Sequence, residues 1–254
     1  MRRLPSACGV VLTLVAVACP LDAGAQETAG RVTFRQERLS AGTLVHAFDD
    51  QQIAMLEKIN RADRRHLERL GSVTVPDVWM ADERSYSPLP LSYEAAREMP
   101  KVLAVSLAAQ AFGAYEYGEL VRWGPVSTGR RGSETPAGAY TLNWKSPGRH
   151  STVNADWFME WYFNFRNDAG LAFHAYALPG RPASHGCIRM LERDATWVFH
   201  WGEEWVLDAN DRVSKDGTPV VLFGRYAFDA PAPWKVPASP GRAVELPRDP
   251  RAPW

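Results

Sequence analysis

Ser184-His185-Gly186-Cys187-Ile188-Arg189 sets a thiol two residues after an imidazole, with a glycine between them. A second imidazole, His174, stands upstream at the end of the apolar run Leu171-Ala172-Phe173. A thiol of ordinary acidity is only a few per cent thiolate at neutral pH, so a nucleophilic cysteine needs a neighbouring base to take its proton. The segment from Tyr176 to Ala183 holds Pro179, Gly180 and Pro182. Such a loop turns the chain so that His174 and Cys187 face each other. If the stretch around Cys187 is extended, His185 projects to the same side as the thiol. Gly186 lets a carbonyl approach the backbone, where the N–H groups of Gly186 and Cys187 are expected to hold a developing oxyanion. Ser184 reads as a hydrogen-bonding support.

The redox setting follows from the start of the chain. Arg2 and Arg3 precede the small and apolar run Gly9 to Ala18, and Ala23-Gly24-Ala25 offers a cleavage site before Gln26. That run is about ten residues, against the roughly 20 needed to cross a membrane, so residues 1–25 read as a cleaved signal peptide with no anchor. A lipid-modified Cys19 is the competing variant, and Ala16 stands where a lipobox has a larger aliphatic residue. Cleavage removes Cys8 and Cys19 and leaves Cys187 alone. A single cysteine forms no internal disulfide, and a free thiol in an oxidising compartment is kept for chemistry. A zinc site needs three or four ligands and the paired thiolates are missing, so no metal and no cofactor is expected. The 29 basic and 29 acidic residues balance, which excludes the basic excess of a nucleic-acid-binding chain.

Residues 26–100 read as a helical accessory segment and linker. Asp49 and Asp50 cap a helix carrying Ile53, Leu56 and Ile59; Asn60-Arg61 is a turn; Asp63 to Leu70 is a second helix; Val73-Thr74-Val75 is a strand. This order resembles the second half of a LysM-type glycan-binding module, and the plainer reading is a small helical cap on the main domain. Residues 101–227 read as strands: 102–107, 111–117, 120–126, 139–145, 159–165, 171–174 and 218–223, with one helix over 194–201. The aromatic run Trp157 to Phe165 reads chiefly as sheet core, with a share in walling a cleft. His200 reads as a packed core histidine. Residues 228–254 are a proline-rich tail expected to lie extended on the surface or to be disordered.

The motif Ser184 to Arg189 resembles the active-site signature of the L,D-transpeptidase catalytic domain, the YkuD family. Three further stretches agree in order: Val126-Ser127-Thr128-Gly129 with Thr135-Pro136-Ala137-Gly138, then Phe173-His174, then Gly217-Thr218-Pro219-Val220. The resemblance spans about residues 101–225 and implies a mainly β fold with few helices, a curved β-sandwich. It implies a cysteine enzyme of the periplasm or cell envelope acting on peptidoglycan stem peptides, with Cys187 as nucleophile, His174 as base and His185 in support. Arg189 matches a position that holds the site or meets a substrate carboxylate. Cys187 then forms a thioester with loss of D-alanine, and an amine acceptor resolves it. The segment between His174 and Ser184 is shorter than in many members, which implies a smaller substrate-facing loop. Two alternatives compete: a thiol hydrolase of the same fold that cuts a peptidoglycan amide or frees a tethered protein, and a non-catalytic wall-binding protein contacting glycan through residues 26–100.

Overall fold

The computed structural model describes residues 32–38, 44–236 and 244–252. The expected signal peptide over residues 1–25 lies outside the described residues. The order begins with β1 (Phe34–Glu37), α1 (Leu44–Ala47), α2 (Asp50–Asn60), α3 (Arg64–Leu67) and β2 (Val73–Pro76). Two 3-10 turns, Glu83–Tyr86 and Glu94–Ala96, lead to β3 (Val102–Ser106), β4 (Ala111–Glu116), β5 (Glu119–Ser127), β6 (Gly138–Thr141), β7 (Lys145–His150), β8 (Phe158–Arg166), β9 (Leu171–Ala175) and β10 (Ile188–Met190). Then come α4 (Glu192–Trp201), β11 (Val206–Leu207), β12 (Val213–Lys215), β13 (Pro219–Phe223) and a last 3-10 turn, Pro233–Lys235. Among the described residues no helix is long and apolar enough to cross a membrane.

Nine strands form one sheet in the order β6-β13-β3-β4-β5-β10-β9-β8-β7. Two pairings in it are parallel, β13 with β3 and β10 with β9, and the others are antiparallel. The edges β6 and β7 are neighbours in the chain, so the sheet curls back on itself. Tyr140 of β6 meets Phe165 of β8 edge-on, ring centroids 5.3 Å apart. The concave face encloses Leu103, Phe112, Val126, Phe163, Phe173 and Ile188, closed by Val198 of α4.

Alternation along the strands explains why the accessory segment packs where it does. Leu103 and Val105 of β3, with Val220 and Leu222 of β13, face that core. The intervening Val102, Ala104, Val221 and Phe223 face outward and are buried against Phe34, Met55, Ile59, Tyr86 and Tyr93. Strands buried on both faces read as near-continuous apolar runs, as Val102-Leu103-Ala104-Val105 does. The segment before residue 100 is the second layer that those outward residues require.

The helices of that segment follow their caps. Asp49 accepts the Gln52 N–H at 2.8 Å and the Gln52 side chain accepts the Asp49 N–H at 3.0 Å, a capping box for α2. The helix stops at Arg61, left-handed at φ 58°. Helix α3 begins at its Asp63 cap and is shorter than the sequence predicts, ending at Leu67. Strand β1, which pairs antiparallel with β2, is not foreseen because only Phe34 of its four residues is buried and apolar.

Two expectations are corrected. The predicted strand over 139–145 divides: β6 pairs with β13 and β7 pairs with β8 at the opposite edge. The division falls at buried Asn143, whose side chain donates to Asn164 Oδ1 at 2.8 Å while its N–H bonds the Asn164 carbonyl. The tail also does more than lie extended on the surface. Trp234 is 2% exposed, and the buried guanidinium of Arg61 sits between the rings of Trp123 and Trp234, at 5.6 and 5.4 Å. Arg61 donates to the carbonyls of Ala109 and Ile59, and Thr74 Oγ1 donates to the Trp234 carbonyl at 2.7 Å. Residues 229–236 thereby fasten the accessory segment to the sheet.

Trp234→Ala opens a cavity at this junction and is expected to lower stability by about 3–5 kcal/mol, the usual cost of removing a buried tryptophan. Chemical denaturation measures it; a loss below about 1 kcal/mol would contradict the packing described.

Candidate active site

In β9, Phe173 and Ala175 point into the core, so Ala172 and His174 point to the other face. Strand β10 lies parallel to β9 with Ile188 opposite Phe173, Arg189 opposite His174 and Met190 opposite Ala175. Ile188 and Met190 therefore share the core, and Arg189 shares the face of His174. Cys187, one residue before β10, projects to that same face beside Ala172. Parallel strands need a crossover of about a dozen residues, which residues 176–187 supply. The thiol and the imidazole thus come to one face by lateral pairing, not by a hairpin reversal.

The crossover is held along its length. Arg61, Ala62 and Asp63, at the α2–α3 turn, pin its first half. The Leu178 N–H bonds Asp63 Oδ2 at 2.7 Å, the Asp63 N–H bonds the Leu178 carbonyl at 3.0 Å, and the Gly180 N–H bonds the Arg61 carbonyl at 3.1 Å. The end of β5 and the turn after it pin its second half. Ser127 Oγ donates to the Arg181 carbonyl at 2.7 Å, the Thr128 carbonyl accepts from Ala183 and Ser184, and the Arg130 N–H bonds the Ser184 carbonyl.

Within the motif, Ser184 Oγ donates to the Cys187 carbonyl at 2.5 Å and accepts the Gly186 N–H at 3.0 Å. Thr135 Oγ1 accepts the Gly129 N–H at 2.9 Å and donates to the Gly186 carbonyl at 2.7 Å. Gly186 has φ 123°, a left-handed conformation that a side chain strains. Its glycine is therefore demanded by the turn. The expectation that its N–H serves an oxyanion is corrected, since Ser184 already takes that N–H; of the expected pair only the Cys187 N–H is left for the role. Ser184 Oγ thus bridges two backbone groups of its own motif.

Cys187 is free and part-buried, with Sγ 3.8 Å from the Gly170 carbonyl. Burial pushes its thiol up, opposed by the Ala172 N–H and by the charges of Arg189 and Arg149. His174 is 4% exposed, and burial pushes it down to about 4. A carbonyl only accepts, so the 3.0 Å contact of Nδ1 with the Ala175 carbonyl puts the proton on Nδ1 and leaves the Nε2 lone pair as the basic site. His174 and Cys187 line one cavity of about 340 Å³, with Ser184, His185 and Arg189 also in its wall. His185 is exposed at the rim, its ring 4.9 Å from that of Trp157; desolvation, Arg130 and Arg189 lower its pKa. Arg189 stacks on Tyr176 at 4.6 Å.

The aromatic run divides by face. Trp157 and Tyr162 line the cavity, Phe163 and Phe165 fill the core, and Phe158 is exposed. Trp161, at φ 54°, marks the bulge that changes the alternation between Glu160 and Phe163. It packs on Phe199 and His200, and His200 is exposed where the sequence suggests a core position. The sequence reading does not single out Trp144, Arg149 or Tyr176, although all three line the cavity. Arg149 lies in Lys145-Ser146-Pro147-Gly148-Arg149-His150, whose proline, glycine and lack of apolar residues hide an edge strand.

Residues 100–222 match the family model for the L,D-transpeptidase catalytic domain, YkuD. Solved structures similar to the chain include an L,D-transpeptidase from Stackebrandtia nassauensis, 24% identical with a TM-score of 0.42, the match covering 53% of this chain and 60% of that one. Residues 123–326 of an L,D-transpeptidase from Xylanimonas cellulosilytica are 27% identical with a TM-score of 0.46, covering 68% and 79%. L,D-transpeptidase 3 of Mycobacterium tuberculosis is 21% identical with a TM-score of 0.39, covering 49% and 61%. The chain thus spans about three fifths of the length of the first and third of these. No curated protein sequence matches it.

A neutral thiol beside a neutral imidazole labels differently from a preformed ion pair. Iodoacetamide alkylation of Cys187 is expected to be slow near pH 6 and to rise with pH through a midpoint above the ordinary thiol value of about 8.5. Rapid, pH-independent labelling between about pH 5 and 7 would show a resting thiolate–imidazolium pair and contradict this electrostatic reading.

Proposed function

Because the chain belongs, through residues 100–222, to the L,D-transpeptidase catalytic-domain (YkuD) family, we propose that it is a cell-envelope cysteine acyltransferase working on peptidoglycan stem peptides. One observation carries the reading: Cys187 and His174 share one face of paired strands and one cavity wall, with the Nε2 lone pair unprotonated. Export by residues 1–25 places the enzyme where that substrate is.

The donor is a stem tetrapeptide. As its third-residue carbonyl seats against Cys187, the thiol passes its proton to His174 Nε2 and sulfur bonds the carbonyl carbon. The tetrahedral oxyanion takes the Cys187 N–H. The amide C–N bond then breaks, the His174 imidazolium returns the proton to the departing nitrogen, and D-alanine leaves behind a thioester on Cys187. An acceptor amine attacks the thioester, loses its proton to His174, and expels the thiol. A diaminopimelate side-chain amine as acceptor gives a cross-link between third residues. His185, packed on Trp157, shapes the rim and takes no proton in this scheme.

Proton transfer from the raised thiol to the lowered imidazole is uphill in the empty site, so it is coupled to sulfur–carbon bond formation. With His174 neutral down to about pH 4, the transfer runs from a protonated sulfur, and the cavity's cationic groups stabilise the charge as it forms. Arg189 is placed to hold a substrate carboxylate beside the reacting carbonyl.

Mature protein incubated with tetrapeptide muropeptides, products weighed by mass spectrometry, tests the proposal. Expected are free D-alanine, a dimer lacking that residue, and an acyl adduct on Cys187, all abolished by Cys187→Ala. A carbapenem is expected to leave a covalent adduct on the same residue. Water-adducted fragments without dimer would replace transfer by hydrolysis, and full activity in Cys187→Ala would overturn the cysteine mechanism.

A further inference from the structure

The cavity at Cys187 carries two guanidinium groups and, in its wall, no aspartate or glutamate. Arg189 lies along the strand of the thiol. Arg149 comes from β7, three strands away from β10 in the sheet. Neither takes part in an ion pair among the described residues. Two other part-buried arginines are neutralised, Arg122 by Asp194 at 2.7 Å and Arg193 by Glu57 at 2.6 Å.

Arg149 is also held in place. Its guanidinium lies 5.1 Å from the Trp144 ring and 5.0 Å from the Tyr162 ring. Both platforms are fixed, Trp144 Nε1 donating to Asn167 Oδ1 at 2.9 Å and Tyr162 OH to the Gly170 carbonyl at 3.3 Å. That same carbonyl lies 3.8 Å from Cys187 Sγ. Stacking occupies the face of a guanidinium and leaves its N–H edge open, and a planar fork of donors suits a carboxylate. The reach to the thiol is short enough for the charge of Arg149 to favour the thiolate.

A stem tetrapeptide carrying diaminopimelate has a carboxylate on each of the two residues that flank the scissile bond, apart from that of the γ-linked glutamate further along. One ends the departing D-alanine, next to the scissile bond. The other ends the diaminopimelate side chain, several bonds away on the side that stays with the enzyme. The two cationic forks match the two carboxylates that flank the scissile bond. We propose that Arg149, on its Trp144–Tyr162 platform, is the donor-specificity residue and binds the side-chain carboxylate of the third residue, so that donors with a free carboxylate there are preferred over amidated or lysine-containing ones. This rests on the acyltransferase reading above, and it adds a requirement that the reading by itself does not contain.

Two measurements separate the proposal from that reading. In the first, D-alanine release is followed for tetrapeptides with a free and an amidated diaminopimelate. The wild-type protein is expected to favour the free form in kcat/KM by about tenfold or more, the effect of one charged hydrogen-bonded contact. Arg149→Gln is expected to lose that preference by slowing only the free donor, and Arg149→Lys to restore part of it. A preference that survives Arg149→Gln overturns the assignment, as does a wild-type protein indifferent to amidation. In the second, Cys187 is alkylated with anionic iodoacetate and neutral iodoacetamide. Arg149→Gln is expected to lower the iodoacetate rate about threefold or more relative to iodoacetamide, whose rate also reports that the variant is folded. An unchanged ratio overturns the anion site whether or not any muropeptide is a substrate. D-alanine release from neither donor, with a changed ratio, would fail the acyltransferase reading and keep the anion site.

Discussion

The parallel pairing of β10 with β9, in the register that sets Arg189 beside His174, is the constraint on which the site depends. A parallel neighbour cannot follow directly in the chain, so the imidazole and the thiol are separated by a crossover and brought together by sheet hydrogen bonds. Register has period two in side-chain direction. A slip of one residue would send Cys187 and Arg189 into the core and bring Ile188 and Met190 out. The buried pair Ile188 and Met190 therefore fixes the chemistry as firmly as the reactive residues do.

What protects that register comes from outside residues 176–187. The Thr128–Arg130 backbone grips the motif on one side, and the Arg61–Asp63 turn grips the crossover on the other. Each bond contributes about 1 kcal/mol, less than the burial of a single large core side chain, so these contacts select a conformation more than they stabilise the fold. The stabilisation comes from layers. Outward residues of β3 and β13 need the accessory segment over them, and Arg61, between Trp123 and Trp234, ties that segment to both sheet and tail. The accessory segment thus positions the loop that leads to Cys187 while covering the sheet.

Much of this was legible in the sequence because it rests on local patterns. The motif Ser184 to Arg189, the capped helix beginning at Asp50 and the apolar strands 102–106 and 219–223 carry their reading in a few adjacent residues. What stayed hidden depends on partners far along the chain. Strand β7 is polar and contains Pro147 and Gly148, because an edge strand facing a cavity needs no apolar stripe. Arg149 and Trp144 join the site only through that strand. Gly186 was legible as a glycine but not in its purpose, since the direction of its N–H depends on Ser184 and Thr135 together. The alternation through Trp157 to Phe165 was broken by a bulge at Trp161 that no local signal announces.

The central claim is that the buried imidazole beside β10, not the exposed one in the motif, carries the proton. Comparing kcat/KM for D-alanine release in His174→Ala and His185→Ala tests it most directly. The account predicts a loss of about a hundredfold or more for His174→Ala, the usual worth of a positioned general base, and a loss below about tenfold for His185→Ala. The reverse order, with His174→Ala near wild type, would contradict it.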